Sequence, residues 1–211
     1  MSSSRITALL VAIGLLLSGC SDMLLHRSSL DYFPLIRGSE WKYVVGNDTA
    51  YYVEVLGDTS VGNITSTAVS VNFLPEFWLK EPTRISRFFF RDTLIGSYPD
   101  VLEERYGLVY LLPFVSGNSW QDSFSQTLYG LDTFDYHRRL EALVSGPEDV
   151  SVPAGTFSDC YRIEFTEEIG GADTATLSST EWLAPGVGLV KKVVGAEERV
   201  LADYRIGPQT E

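Results

Sequence analysis

The sequence predicts an all-β chain: a mostly antiparallel curved sheet, half-barrel or sandwich, with little helix. Short runs of β-branched and aromatic residues recur from Trp41 to Ile206, and several alternate with polar residues at a period of two. Clusters of Gly, Pro, Asn and Asp separate these runs and supply turns. The chain reads as strand almost throughout, with short helix predicted only near Pro75–Lys80 and Asp100–Arg105.

Trp41 to Val45, a Gly46-Asn47-Asp48 turn and Tyr51 to Leu56 form a hairpin pattern. Thr67, Val69, Val71 and Phe73 alternate against Ala68, Ser70 and Asn72. The dense runs "RFFFRD" (Arg87–Asp92) and "GLVYLL" (Gly107–Leu112) fit strands buried on both faces. Phe134, Tyr136, Leu140, Ala142 and Val144 share one face, interrupted only by Arg138. Three further strands are expected at Thr176–Leu183, Val187–Val194 and Arg199–Ile206. Turns at Pro153-Ala154-Gly155 and Pro185-Gly186, with a loop at Gly170-Gly171, make this end an antiparallel meander.

An internal echo crosses the chain. "PLIRGSEW" (Pro34–Trp41) and "PFVSGNSW" (Pro113–Trp120) place Pro, Gly and Trp at the same spacing, 79 residues apart. Turn and core residues agree together, which favours two related halves, 32–110 and 111–206, within one β-rich domain over residues 31–206. Residues 207–211 read as a tail.

The amino terminus is organised differently. Arg5 is the only charge before Asp22, and Ile6–Leu17 is apolar apart from Thr7 and Gly14. That is a positive segment followed by an apolar one, too short for the ~20 residues that cross a bilayer. Leu17-Ser18-Gly19-Cys20 closes it and resembles the lipobox of bacterial lipoproteins. The resemblance implies a signal peptide over residues 1–19, cleavage between Gly19 and Cys20, and diacylglycerol and palmitate-type acyl chains on Cys20. Two or more chains anchor stably where one does not. Residues 20–30 then form a lipidated tether. Ser21, rather than Asp, follows the cysteine, which in such lipoproteins points to the outer membrane, facing the periplasm.

Residues 20–211 keep all 28 acidic residues and 15 of the 16 basic ones, a net charge of −13. With no basic stripe, nucleic acid is not expected as a partner. The bilayer is engaged through acylated Cys20 rather than through charge. Lipidation of Cys20 leaves Cys160 without an intramolecular partner, and a lone cysteine in a strand reads as a small buried hydrophobe.

"VPAGTFSDCYRIEF" and "EWLAPGVGLVKK", with "YFPLIRGSEWKY" near the start, are similar to uncharacterised β-rich bacterial lipoproteins and periplasmic domains with a V-P-A-G-T-F … W-x-A-P-G-V-G-L-V-K pattern. The likeness covers roughly 32–43 and 151–192. It implies a curved sheet or half-barrel, similar to lipoprotein-carrier folds, and brings no catalytic residue with it.

The chain lacks the spacing of a zinc site, a nucleophile elbow or a phosphate loop, so no catalytic residue, metal or cofactor is assigned. Asp135 and His137 share a strand face and read as exposed polar surface. Glu103-Glu104, Glu167-Glu168 and Glu197-Glu198 read as solvated edges. What remains is a surplus of aromatics, Phe73, Phe77, Trp78, Phe88, Phe89 and Phe90. These either line an apolar mouth for a ligand or partner or plug one end of the sheet, the plug being favoured. The expected function is a non-enzymatic envelope lipoprotein that binds a partner protein or an apolar ligand. The alternatives are a structural accessory subunit of an envelope complex and, further off, a hydrolase with an unrecognised site. Cys20→Ala leaves an uncleaved precursor that takes up no radiolabelled fatty acid; a labelled, processed mutant would contradict the lipobox assignment.

Overall fold

The alternation along the chain resolves into twelve antiparallel strands in one sheet. In chain order they are β1 (Glu40–Val45), β2 (Thr49–Val61), β3 (Ile64–Val71), β4 (Leu74–Glu81), β5 (Arg84–Ile95), β6 (Tyr98–Leu111), β7 (Ser119–Tyr129), β8 (Thr133–Val152), β9 (Gly155–Gly170), β10 (Thr174–Ala184), β11 (Gly188–Val194) and β12 (Glu197–Arg205). The computed structural model describes residues 30–46, 49–95, 98–129, 133–171 and 173–208. The lipobox, Cys20 and residues 20–29 of the tether lie outside them, as does the end of the tail. The chain divides into a unit of Met1–Asp31 and a body of Tyr32–Glu211. All twelve strands lie in the body.

Each strand pairs with its neighbours in sequence except β6 with β7, and β1 pairs with β12, giving the order β6-β5-β4-β3-β2-β1-β12-β11-β10-β9-β8-β7. The sheet is a nearly closed, up-and-down barrel with a single gap in its ladder, between β6 and β7. Bulges at Lys42/Tyr43, Val55/Gly57, Ile85/Ser86, Arg91/Asp92 and Trp182/Leu183 add the bends and extra twist that curl so wide a sheet.

Both expected helices are strand. Pro75–Lys80 lies in β4 and Asp100–Arg105 in β6. In β4, Glu76 and Trp78 face the interior while Phe77 lies on the opposite face, a period that a helix cannot use. In β6 an extra residue, Leu102, bulges between Val101 and Glu103 and breaks the alternation that would have revealed the strand. "RFFFRD" is not buried on both faces either, because within the body no second layer of described residues covers the outside of the barrel. Phe89 points in and Phe90 is 58% exposed.

The repeated segments take one geometry twice. Gly38 and Gly117 both have positive φ, 80° and 89°. Ser39 N–H donates to Ile36 O, as Asn118 N–H does to Val115 O, both at 3.0 Å. Gly38 N–H donates to Val55 O on β2 as Gly117 N–H does to Val144 O on β8, at 2.8 and 2.9 Å. Each segment thereby turns its chain into the first strand of a six-stranded run. Both lie at one end of the barrel, where Tyr32 meets Phe114 and Tyr161, and Phe33 meets Trp78 and Tyr110, edge-on or tilted with centroids 4.8–5.5 Å apart. These rings plug that end.

A Cβ added at Gly38 or Gly117 meets nothing within 4 Å, so alanine there costs only the left-handed backbone. Gly38→Ala and Gly117→Ala each lower stability by about 1–2 kcal/mol, read as a fall in urea midpoint at unchanged slope. A loss at one site alone would contradict their equivalence.

Candidate functional site

The interior of the barrel is not filled. A cavity of about 240 Å³ lies above the aromatic plug, larger than the roughly 150 Å³ that admits a benzene-sized molecule. Its floor is Phe33, Trp41 and Tyr110, and its walls include Val55, Val69 and Phe165. At the opposite end, where the β9–β10 and β11–β12 hairpins turn, the lining reaches Leu177, which is 50% exposed.

Charged side chains ring the upper part of this cavity in two groups. The first is a row across three neighbouring strands, in which Glu181 on β10 pairs with Lys192 on β11 and Lys192 with Arg199 on β12. Direct opposition puts all three side chains on the inner face. Lys192 Nζ lies 2.6 Å from Glu181 Oε1, and Tyr110 donates its hydroxyl to Glu181 Oε2 at 2.5 Å. Burial pushes the Glu181 carboxyl up, but Lys192, Tyr110 and Arg87 together outweigh it and hold the group below the usual carboxylate range. Burial and the adjacent Glu181 charge push the Tyr110 phenol well up, so it stays a donor. Arg199 lies over the ring of Tyr51, 3.5 Å from its centroid. Its nearest carboxylate is exposed Glu197, 3.6 Å from Nη2, while its Nε is buried without a hydrogen-bond partner.

The second group is closed on itself. Arg138, 3% exposed, is the residue that interrupts the apolar face of β8. It donates through Nε to Glu167 at 2.6 Å, reaches Asp122 at 3.4 Å and Glu103 at 3.9 Å, and stacks on Phe89 at 3.7 Å. Tyr136 donates to Glu103 at 2.9 Å, and its phenol is pushed up to about 12 by burial and by that carboxylate. Glu103 and Glu167 are therefore not solvated edges, whereas Glu104 is exposed. Glu103 is 1% exposed, because the barrel turns its strand inward beside Arg105 and Arg138.

This group also closes the gap. Asp122 on β7 takes both guanidinium nitrogens of Arg105 on β6, at 3.1 and 2.5 Å, and the backbone N–H of Leu108 at 3.1 Å. Trp120 and Gln126 donate from β7 to the β6 carbonyls of Val109 and Val101. Side chains of one edge strand thus satisfy the backbone of the other. Gly107 leaves room for this, since a Cβ there would stand 3.0 Å from Asp122 Oδ2 and 2.8 Å from the Phe89 ring.

The six aromatics singled out in the sequence divide between the faces. Trp78 and Phe89 line the cavity. Phe77 and Phe88 meet edge-on at 6.3 Å on the outer face, Phe90 is exposed beside them, and Phe73 stands 89% exposed at the β3–β4 turn. As a set they form neither one mouth nor one plug, because strand alternation separates consecutive residues; of the six only Trp78 joins the plug, tilted against Phe33 at 4.8 Å. The plug comes instead from Tyr32, Phe33 and Phe114. His137 is exposed, with its ring over the backbone of Gly170, and Asp135 accepts from Thr127 Oγ1 at 2.7 Å. Cys160 is buried and pairs with Glu148, eleven residues along β8 from His137, or roughly 35 Å of strand at ~3.3 Å per residue. Burial pushes its thiol up to about 11.

Comparison with known proteins gives limited likeness. A family model described as DUF3108-like matches residues 137–193, from β8 into β11. No curated protein matches. Two solved structures are similar: a protein described as exported, with a YmcC-like fold, from Bacteroides fragilis, and one described as a lipoprotein from Parabacteroides distasonis. The first is 12% identical with a TM-score of 0.49, the second 17% identical with 0.47. Each comparison covers 83% of this chain and 99% of the other.

The Lys192–Arg199 row escaped the sequence reading, although a signal for it exists. The two-residue Gly195-Ala196 turn pairs Val194 with Glu197, and that register sets Lys192 opposite Arg199.

Removing the Glu181 charge leaves the interior cation Lys192 without its carboxylate. Glu181→Gln lowers stability at pH 7 by about 3–5 kcal/mol. The wild-type carboxyl has a lowered folded pKa, so its contribution is complete above the unfolded value and is lost as pH falls through the folded one. Urea midpoints of the two proteins therefore converge in acid; a gap that widens there would contradict the assignment.

Proposed function

We propose that the chain is a non-enzymatic envelope lipoprotein, held through acylated Cys20, whose barrel takes an apolar molecule into its interior. The observation that carries this reading is the unfilled cavity, with Trp41, Trp78, Tyr110 and valines beneath a charged rim. Apolar walls with a few placed polar groups are the ordinary make-up of a small-molecule site. Each methylene withdrawn from water contributes roughly 0.8 kcal/mol, so an acyl chain of modest length offsets the cost of association.

Residues 21–211 contain the whole barrel and suffice for a test. Trp41 and Trp78 line the cavity, whereas Trp182 lies outside it, bonded to Glu148. Titration with the neutral quencher ω-bromoundecanol gives saturable quenching of tryptophan emission. Val71→Phe, at the cavity wall, weakens it several-fold. Quenching that never saturates, or that Val71→Phe leaves unchanged, would sink the reading.

A second reading, an accessory subunit of an envelope complex, draws on the outer face. Ala68, Phe77, Phe88 and Tyr106 form a cross-strand row there, with Phe90 exposed alongside. Phe90→Ser leaves the quenching titration intact under both readings. It removes cross-linked complexes in cells only under the second.

A further inference from the structure

We propose that the molecule taken up is a single-chain amphiphile with an anionic head, a carboxylate or phosphate. Its head sits against Arg199 and Lys192, and its chain descends to the Phe33–Trp41–Tyr110 floor. This rests on the cavity reading above and adds the chemistry that the cavity selects.

The argument begins with register. Lys192 and Arg199 are direct cross-strand partners on the inner face, and like charges in that position repel. One carboxylate shares their row, Glu181, and it is already held by Lys192 Nζ at 2.6 Å and by the Tyr110 hydroxyl at 2.5 Å. The other cations that line the cavity are matched on site: Arg87 by Glu76 at 3.2 Å, and Arg138 by Glu167 at 2.6 Å. Among the described residues, Arg87, Arg138 and Lys192 each hold a carboxylate of the lining, and Arg199 holds none.

The orientation of Arg199 agrees. Tyr51 covers one face of its guanidinium, which holds the group by cation–π attraction and leaves its edge as the hydrogen-bonding side. On that edge, Nε is buried with no acceptor, and the nearest carboxylate belongs to exposed Glu197. A carboxylate or phosphate oxygen entering from the mouth supplies the missing acceptor and separates the two cations electrostatically. A guanidinium edge receives such a group through paired N–H bonds. Below it the lining turns apolar, so the head is fixed at the rim and the chain goes inward.

The test compares two probes that differ only in the head, ω-bromoundecanoate and ω-bromoundecanol, at pH 8 on residues 21–211. The acid binds about 10–100-fold more tightly than the alcohol, the span expected of a charge-assisted hydrogen bond. Arg199→Gln removes that preference and leaves the alcohol affinity as it was, which also shows the variant to be folded. Arg199→Lys keeps the charge and part of the preference. Displacement of the bromo acid by dodecanoate and dodecyl phosphate identifies which head fits better, and either one supports the proposal. Equal binding of acid and alcohol overturns the headgroup while leaving the cavity reading in place. Binding of neither overturns the cavity reading itself. Displacement by inorganic phosphate alone, as effective as by the acyl anions, overturns the amphiphile.

Discussion

A sheet of twelve strands has two edges, and the structure depends on how they are disposed of. An exposed edge presents unpaired N–H and C=O groups that invite another chain. The β6 and β7 edges do not join by a ladder. β7 offers its side chains to β6 instead, Asp122 clasping Arg105 and the Leu108 amide while Trp120 and Gln126 reach β6 carbonyls. This lateral docking sets the position of Asp122, and through it of Arg138, Glu103 and Tyr136. The charged network inside the barrel is thus a consequence of closing the barrel by side chains.

The two interior charge groups differ in completeness, and the difference has physical content. Arg138 is surrounded by Glu167, Asp122 and Glu103 and capped by Phe89, so its removal from water is compensated at nearly every donor. Arg199 has an aromatic cover and one distant exposed carboxylate. Buried charge networks stabilise only when fully satisfied. The first group is the more fully paired, although Glu103 Oε1 and Arg105 Nε within it lack hydrogen-bond partners; in the second, Arg199 Nε has none.

Much of the fold was legible because antiparallel strands joined by short turns carry their signal locally. Pro153–Gly155 and Pro185-Gly186 mark two hairpins without reference to anything distant, and the 79-residue echo marks the entry to each six-stranded run. What was hidden required knowing which face is inward. Phe88–Phe90 is an unbroken aromatic run, so no polar residue between them betrayed that Phe89 and Phe90 point apart. Arg138 appeared as a flaw in the apolar face of β8 and is its central interior charge. Phe114 lies some 80 residues from Tyr32 and Phe33, and no local pattern says that Tyr32 and Phe114 meet. Bulges at Leu102 and Val109 shift the phase of β6, which is why its alternation read poorly.

The pairing of β1 with β12 has a kinetic meaning. Every other ladder in the sheet joins strands adjacent in sequence, each needing only a short turn to close. The β1–β12 ladder brings Glu40 to Arg205 and closes a loop of nearly the whole body. For a loop of that size the chain entropy lost is roughly 4–5 kcal/mol, against about 1 for a two-residue hairpin. Local hairpins therefore form early and cheaply, while the first and last strands must wait for one another. Contacts of that separation are what slow a fold of otherwise local topology. The same ladder binds the two six-stranded runs into one cooperative unit, which neither would be alone.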